Sequence, residues 1–132
     1  MTIAKTPFYF YAGVANALGT LAIIPIRKTE FGKSHIGSQL LGSAPSFLGI
    51  LALLMLLLSA LKPKSPKAFW IIVITVTGGT LVHEILQNWT EKIFDYLDLA
   101  AILCGFLTFC SIHLITSRVT RNWSNQGMDF TR

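Results

Sequence analysis

Long apolar runs alternate with short polar stretches along the whole chain. The first, FYFYAGVANALGTLAIIPI, covers residues 8–26, and the second, PSFLGILALLMLLLSAL, covers 45–61. The third, AFWIIVITVTGGTLVHEIL, covers 68–86, and the fourth, LDLAAILCGFLTFCSIHLIT, covers 97–116. A helix of ~20 apolar residues crosses the hydrocarbon core of a bilayer, and all four runs approach that length. The pattern predicts an all-α fold, an integral membrane bundle of four transmembrane helices built as a single domain over residues 1–132. Between the second and third runs, KPKSPK is short and rich in proline, which forces a helical hairpin. An even number of spans leaves both termini on one side.

Composition supports the membrane reading. The chain is 52% hydrophobic and 13% charged, with a mean hydropathy of +0.59. Soluble domains carry about 25% charged residues, so a soluble fold of this size would lack the polar surface to cover its core. Lipid supplies that cover in a bundle.

The net charge of +5 does not point to nucleic acid, because the eleven Lys and Arg cluster at the ends of apolar runs and form no basic stripe. Their distribution predicts orientation instead. The N-terminus (Lys5), the KPKSPK turn (Lys62, Lys64, Lys67) and the C-terminal tail (Arg118, Arg121, Arg132) hold seven, while the loops after the first span (Arg27, Lys28, Lys33) and after the third (Lys92) hold four. By the positive-inside rule both termini are expected in the cytoplasm.

Cys104 and Cys110 lie six residues apart in the fourth run, so on one helix they point apart and read as small hydrophobes. The first run lacks a small-residue cleavage pattern and is expected to remain as a span rather than a signal peptide. Ala15-x-x-x-Gly19 and Ala101-x-x-x-Gly105 are small-residue pairs at helix-packing spacing. Asn16 is expected to hydrogen-bond inside the bundle, and His113 to sit at the interface without a functional role. The sequons at Asn88 and Asn122 read as chance, and the tail after the fourth run as a fraying interfacial helix end.

The chemistry concentrates in HEILQNWTEKIFDYLD, His83 to Asp98. It starts like the H-E-x-x-H helix of zinc proteases, but Gln87 replaces the second histidine, and a neutral amide is a poor zinc ligand. Neither a metal nor another cofactor is expected. Glu84 and Gln87 share a helix face at the end of the third span, as do Asp95 and Asp98 at the start of the fourth. Antiparallel neighbours would gather these four side chains into an acidic pocket near the outer membrane surface. In a plainer reading Asp95 caps the fourth helix and Glu84 pairs with Lys92. That leaves Gln87 and Asp98 unexplained, and ionisable groups at membrane depth are functional candidates by default.

The order Glu84-x-x-Gln87, a basic Lys92, Asp95-x-x-Asp98 and Gly105 resembles the VanZ-like family of small bacterial membrane proteins, named for a teicoplanin-resistance protein. The similarity covers residues 78–105, and GKSHIGSQLLGSAPSFL resembles that family's first-loop segment, with Lys33 and His35 as further site contributors. Two positions depart: Lys92 stands where Arg is usual, and Ile102 where Asn or Thr is usual. The resemblance implies a multi-pass envelope protein of the bacterial cytoplasmic membrane, with no catalytic residue to carry over. The preferred expectation is an envelope protein, non-enzymatic or of undefined activity, whose pocket binds a lipid headgroup or a partner protein. An accessory subunit of a larger membrane complex is the alternative, and an enzyme on a lipid-linked substrate, with Glu84 or Asp98 as acid or base, comes third because no nucleophile has a neighbouring base.

Overall fold

A computed structural model of the chain describes residues 5–87 and 96–125. It is all-helical: α1 Lys5–Ile26, α2 Glu30–Lys33, α3 His35–Leu61, α4 Pro66–Gln87 and α5 Tyr96–Asn125. Four helices, α1, α3, α4 and α5, are long and apolar enough to cross a membrane. Their outward faces carry Leu18, Leu21 and Ile24 on α1, Ile71 and Ile74 on α4, and Leu107, Leu114 and Ile115 on α5, all exposed. Apolar area on that scale is a liability in water and suits contact with lipid. The protein is a small four-span helical membrane protein.

The most apolar helix, α3, is the hub: it packs against α1, α2, α4 and α5. Its Ile50, Leu51, Leu54, Met55 and Leu58 form the core with Tyr9 of α1, Phe69 and Val73 of α4, and Ile102 and Phe109 of α5. Two glycines set how closely the neighbours approach. A Cβ on Gly13 would stand 2.8 Å from Leu56 Cγ, and one on Gly105 would overlap Ile50 Cγ2 and lie 2.9 Å from the Phe47 carbonyl oxygen. With lipid as solvent, close backbone approach through small residues is a main source of helix association. The pair expected on α1 does not meet α3 as a unit: a Cβ on Gly19 would lie 3.3 Å from Leu48 Cδ1 of α3, but Ala15 is exposed. On α1 the buried small residue is Gly13; on α5 it is Gly105.

Ser34 caps α3, its hydroxyl accepting from the Gly37 N–H at 3.0 Å. Ser65 does the same for α4, accepting from the Ala68 N–H at 3.1 Å, and Pro66 follows where no intrahelical donor is required. Lys62 stops α3 in the left-handed conformation, with φ 46°.

Two element boundaries differ from the sequence pattern. The second span was expected to begin at Pro45, but α3 begins at His35 and runs through the proline. Proline removes the N–H that would bond the carbonyl four residues earlier. Here that carbonyl belongs to Leu41, and Arg27 supplies the missing donor at 2.9 Å from Nε. What looked like a long first loop is therefore a short connection through α2 and a lengthened helix. At the other end, α5 continues past Thr116 to Asn125. Asn16 bonds within its own helix, donating to the Ala12 carbonyl at 2.7 Å.

Candidate functional site

The C-terminal end of α1, α2 and the N-terminal ends of α3 and α5 meet at one end of the bundle around a cleft of about 500 Å³, lined by Arg27, Gly32, Ser38, Gly42 and Asp98. Local sequence builds each wall. Thr29 caps α2 through the Gly32 N–H, which folds the connection tightly. A Cβ at Gly32 would lie 2.6 Å from the carbonyl oxygens of Ile26 and Arg27, so only glycine fits. On α3, Ser38, Gly42 and Ser46 recur every four residues and present one small, polar stripe.

Asp98 occupies the first turn of α5, where the helix dipole favours a carboxylate. Its Oδ1 accepts a hydrogen bond from the Ser46 hydroxyl at 3.0 Å, so the carboxylate is directed to α3. Opposite stands Arg27, just past the end of α1. Its Nε and Nη2 donate to the Leu41 carbonyl, and Nη2 also donates to the Gly42 carbonyl at 3.0 Å. The planar guanidinium suits this forked grip better than a lysine would. The cleft thus presents a carboxylate and a guanidinium, each oriented by neutral partners.

The remaining sequence candidates distribute as follows. Glu84 is half-buried on the face of α4 that also carries the buried Phe69, Val73 and Thr77, so it turns toward the bundle. His83, one residue earlier, is exposed. Lys92 and Asp95 lie outside the described residues, as does the side chain of Gln87. Lys33 pairs with Glu30 across 3.5 Å on the exposed surface of α2, and His35 is exposed at the start of α3; neither lines the cleft. Ile102 is fully buried in the apolar core beside the glycine contact of α5 with α3.

Arg27, Ser38 and Ser46 were not foreseen as site residues. Two signals mark them: the four-residue recurrence of small polar residues on α3, and Pro45, whose missing N–H requires a donor for Leu41.

At the opposite end of the bundle a second polar arrangement is enclosed by rings. His113 of α5 stacks on Phe69 of α4 with centroids 4.2 Å apart, and Trp70 and Phe109 lie near it. Its Nδ1 shares a 2.7 Å hydrogen bond with the hydroxyl of the fully buried Tyr9. The residue expected at the interface is instead an internal tie between α1, α4 and α5. No family model, curated protein or solved structure matches this chain.

Proposed function

We propose that this chain is a non-enzymatic protein of the bacterial cytoplasmic membrane, its termini in the cytoplasm, and that its cleft binds the amine of a lipid headgroup at the outer surface. The observation that carries this reading is Asp98. It is half-buried, held by one neutral hydroxyl, and opens on a cleft of about 500 Å³ beside lipid-facing helices. A carboxylate so placed attracts ammonium groups more strongly than one in bulk water, because the local dielectric is lower. The bond from Ser46 fixes its direction before a ligand arrives, which lowers the cost of binding.

The resemblance of Glu84-x-x-Gln87, Asp95-x-x-Asp98 and Gly105 to the VanZ-like pattern supports an envelope role of the kind associated with glycopeptide resistance. Ile102 replaces a hydrogen-bonding residue of that pattern with a core side chain, which leaves Ser46 as the described partner of Asp98.

The test is Asp98→Asn in the full chain. Native mass spectrometry of the detergent-extracted protein is expected to show retained phosphatidylethanolamine falling by about tenfold, the effect of removing one charged hydrogen-bond acceptor, with membrane abundance unchanged. An equal fall in abundance would assign Asp98 to folding, and unchanged lipid retention would remove the proposed site.

A further inference from the structure

The cleft carries charge of both signs, and the two charges do not meet. Arg27 and Asp98 line the same space, yet among the described residues no ion pair joins them. Each is oriented by neutral groups: Asp98 by the Ser46 hydroxyl, Arg27 by the carbonyls of Leu41 and Gly42. Those partners set direction without cancelling charge. Among the described residues Asp98 Oδ2 and Arg27 Nη1 make no hydrogen bond, so one acceptor and one donor remain for a ligand. Gly42 also lines the cleft, with nothing within 4 Å of the position a Cβ would take, so no side chain fills that space. The Ser38 hydroxyl donates to the His35 carbonyl at 2.9 Å, which leaves its lone pairs able to accept.

Resting on the reading that the cleft takes an amine, we infer that its ligand is a zwitterion, with an ammonium against Asp98 and a phosphate or carboxylate against Arg27. A ligand carrying both charges satisfies both fixed groups at once, and charge-assisted hydrogen bonds are stronger than neutral ones. A purely anionic headgroup meets the Asp98 carboxylate as a like charge. A simple amine leaves Arg27 without a counter-charge. Phosphoethanolamine headgroups and free amino-acid-like zwitterions share the required chemistry.

The experiment uses the full chain in maltoside micelles with four probes: dihexanoyl-phosphatidylethanolamine, dihexanoyl-phosphatidylglycerol, hexylamine and glycerophosphoethanolamine. The phosphatidylethanolamine is expected to bind about tenfold or more tighter than either the phosphatidylglycerol or hexylamine. Asp98→Asn should bring it down to the level of the phosphatidylglycerol. Arg27→Gln is made in a Pro45→Ala background, where Leu41 regains a backbone donor, so that loss of charge is separated from loss of the helix contact. It should bring phosphatidylethanolamine down to the level of hexylamine. Hexylamine binding the unaltered chain as tightly as phosphatidylethanolamine would overturn the zwitterion while leaving amine binding intact. Phosphatidylglycerol binding as tightly as phosphatidylethanolamine, or no binding by either amine-bearing lipid or hexylamine, would overturn amine binding itself. Glycerophosphoethanolamine matching the lipid would support the zwitterion and place its source in solution rather than in the bilayer.

Discussion

Arg27 donates to the carbonyl oxygen of Leu41, the acceptor that Pro45 leaves without its helical partner. The connection after α1 is thereby tied to α3, and α3 can carry a proline ten residues into its length. The two features are one device, since the proline creates the vacancy and the arginine fills it.

A double-mutant cycle tests this dependence. Arg27→Gln alone is expected to destabilise the protein by about 1 kcal/mol, the net value of a partly exposed hydrogen bond. In a Pro45→Ala background the same change should cost a few tenths of that figure, because the residue 45 N–H again reaches Leu41. Unfolding midpoints in mixed micelles provide the measurement. Additive costs would show that the arginine and proline act separately.

Glycines in two helices should respond oppositely to alanine. A Cβ on Gly105 meets Ile50 and the Phe47 backbone, whereas Gly78 and Gly79 of α4 have nothing within 4 Å of that position. Gly105→Ala is therefore expected to cost about 1–3 kcal/mol through overpacking. Trimming Ile50 to alanine should not rescue it, because the Phe47 carbonyl cannot move away without breaking α3. Gly79→Ala is expected to stabilise by up to about 1 kcal/mol, through helix propensity alone. Thermal unfolding in detergent separates the two signs.

The fold was legible because apolar length and basic flanks report directly on a bilayer, and the four runs are that signal repeated. The start of α3 was not legible in the same way, since a proline before an apolar run marks a helix start unless a distant donor compensates. Arg27 is that donor; Pro45 signals that one is needed, but nothing local to residues 35–45 says which residue supplies it. For the site, Asp98 was visible as an ionisable group at the edge of a span. Its partner Ser46 was not, because pairing across helices depends on how α3 and α5 rotate about the Gly105 contact. His113 was misplaced for a related reason: a histidine near a span end suits the interface equally well until Tyr9 and Phe69 close around it.

The orientation rests on a narrow margin of charge. Seven basic residues flank the side that holds both termini and four flank the other, and three of the seven are Lys62, Lys64 and Lys67 in one turn. Replacing those three by glutamine leaves four on each side. Because orientation follows that difference in short loops, the altered chain should insert as a mixture of both topologies, whereas the unaltered chain should insert with its termini inside. Reporter fusions at the C-terminus read this as a change from a single cytoplasmic signal to roughly equal signals on the two sides. A periplasmic signal from the unaltered chain would reverse the assignment and place the cleft in the cytoplasm.

The ring-enclosed tie at the other end should be energetically coupled rather than a set of separate contacts. His113 is bonded to Tyr9 of α1 and stacked on Phe69 of α4, so one imidazole links three helices. Tyr9→Phe removes the hydroxyl but keeps the ring against Phe109, and is expected to cost about 1 kcal/mol. His113→Ala removes both the bond and the stack and should cost about 2 kcal/mol or more, since a half-buried ring leaves a void as well. In the His113→Ala background, Tyr9→Phe should cost less, because the tyrosine hydroxyl then keeps only its hydrogen bond with Thr116. Phe69→Ala should likewise cost less there, by the ~0.5–1.5 kcal/mol that a ring pair contributes beyond its area. Chemical unfolding of the three single variants and the two double variants provides every term. A Tyr9→Phe cost that stays the same with and without His113 would show that the hydrogen bond does not join α1 to α5.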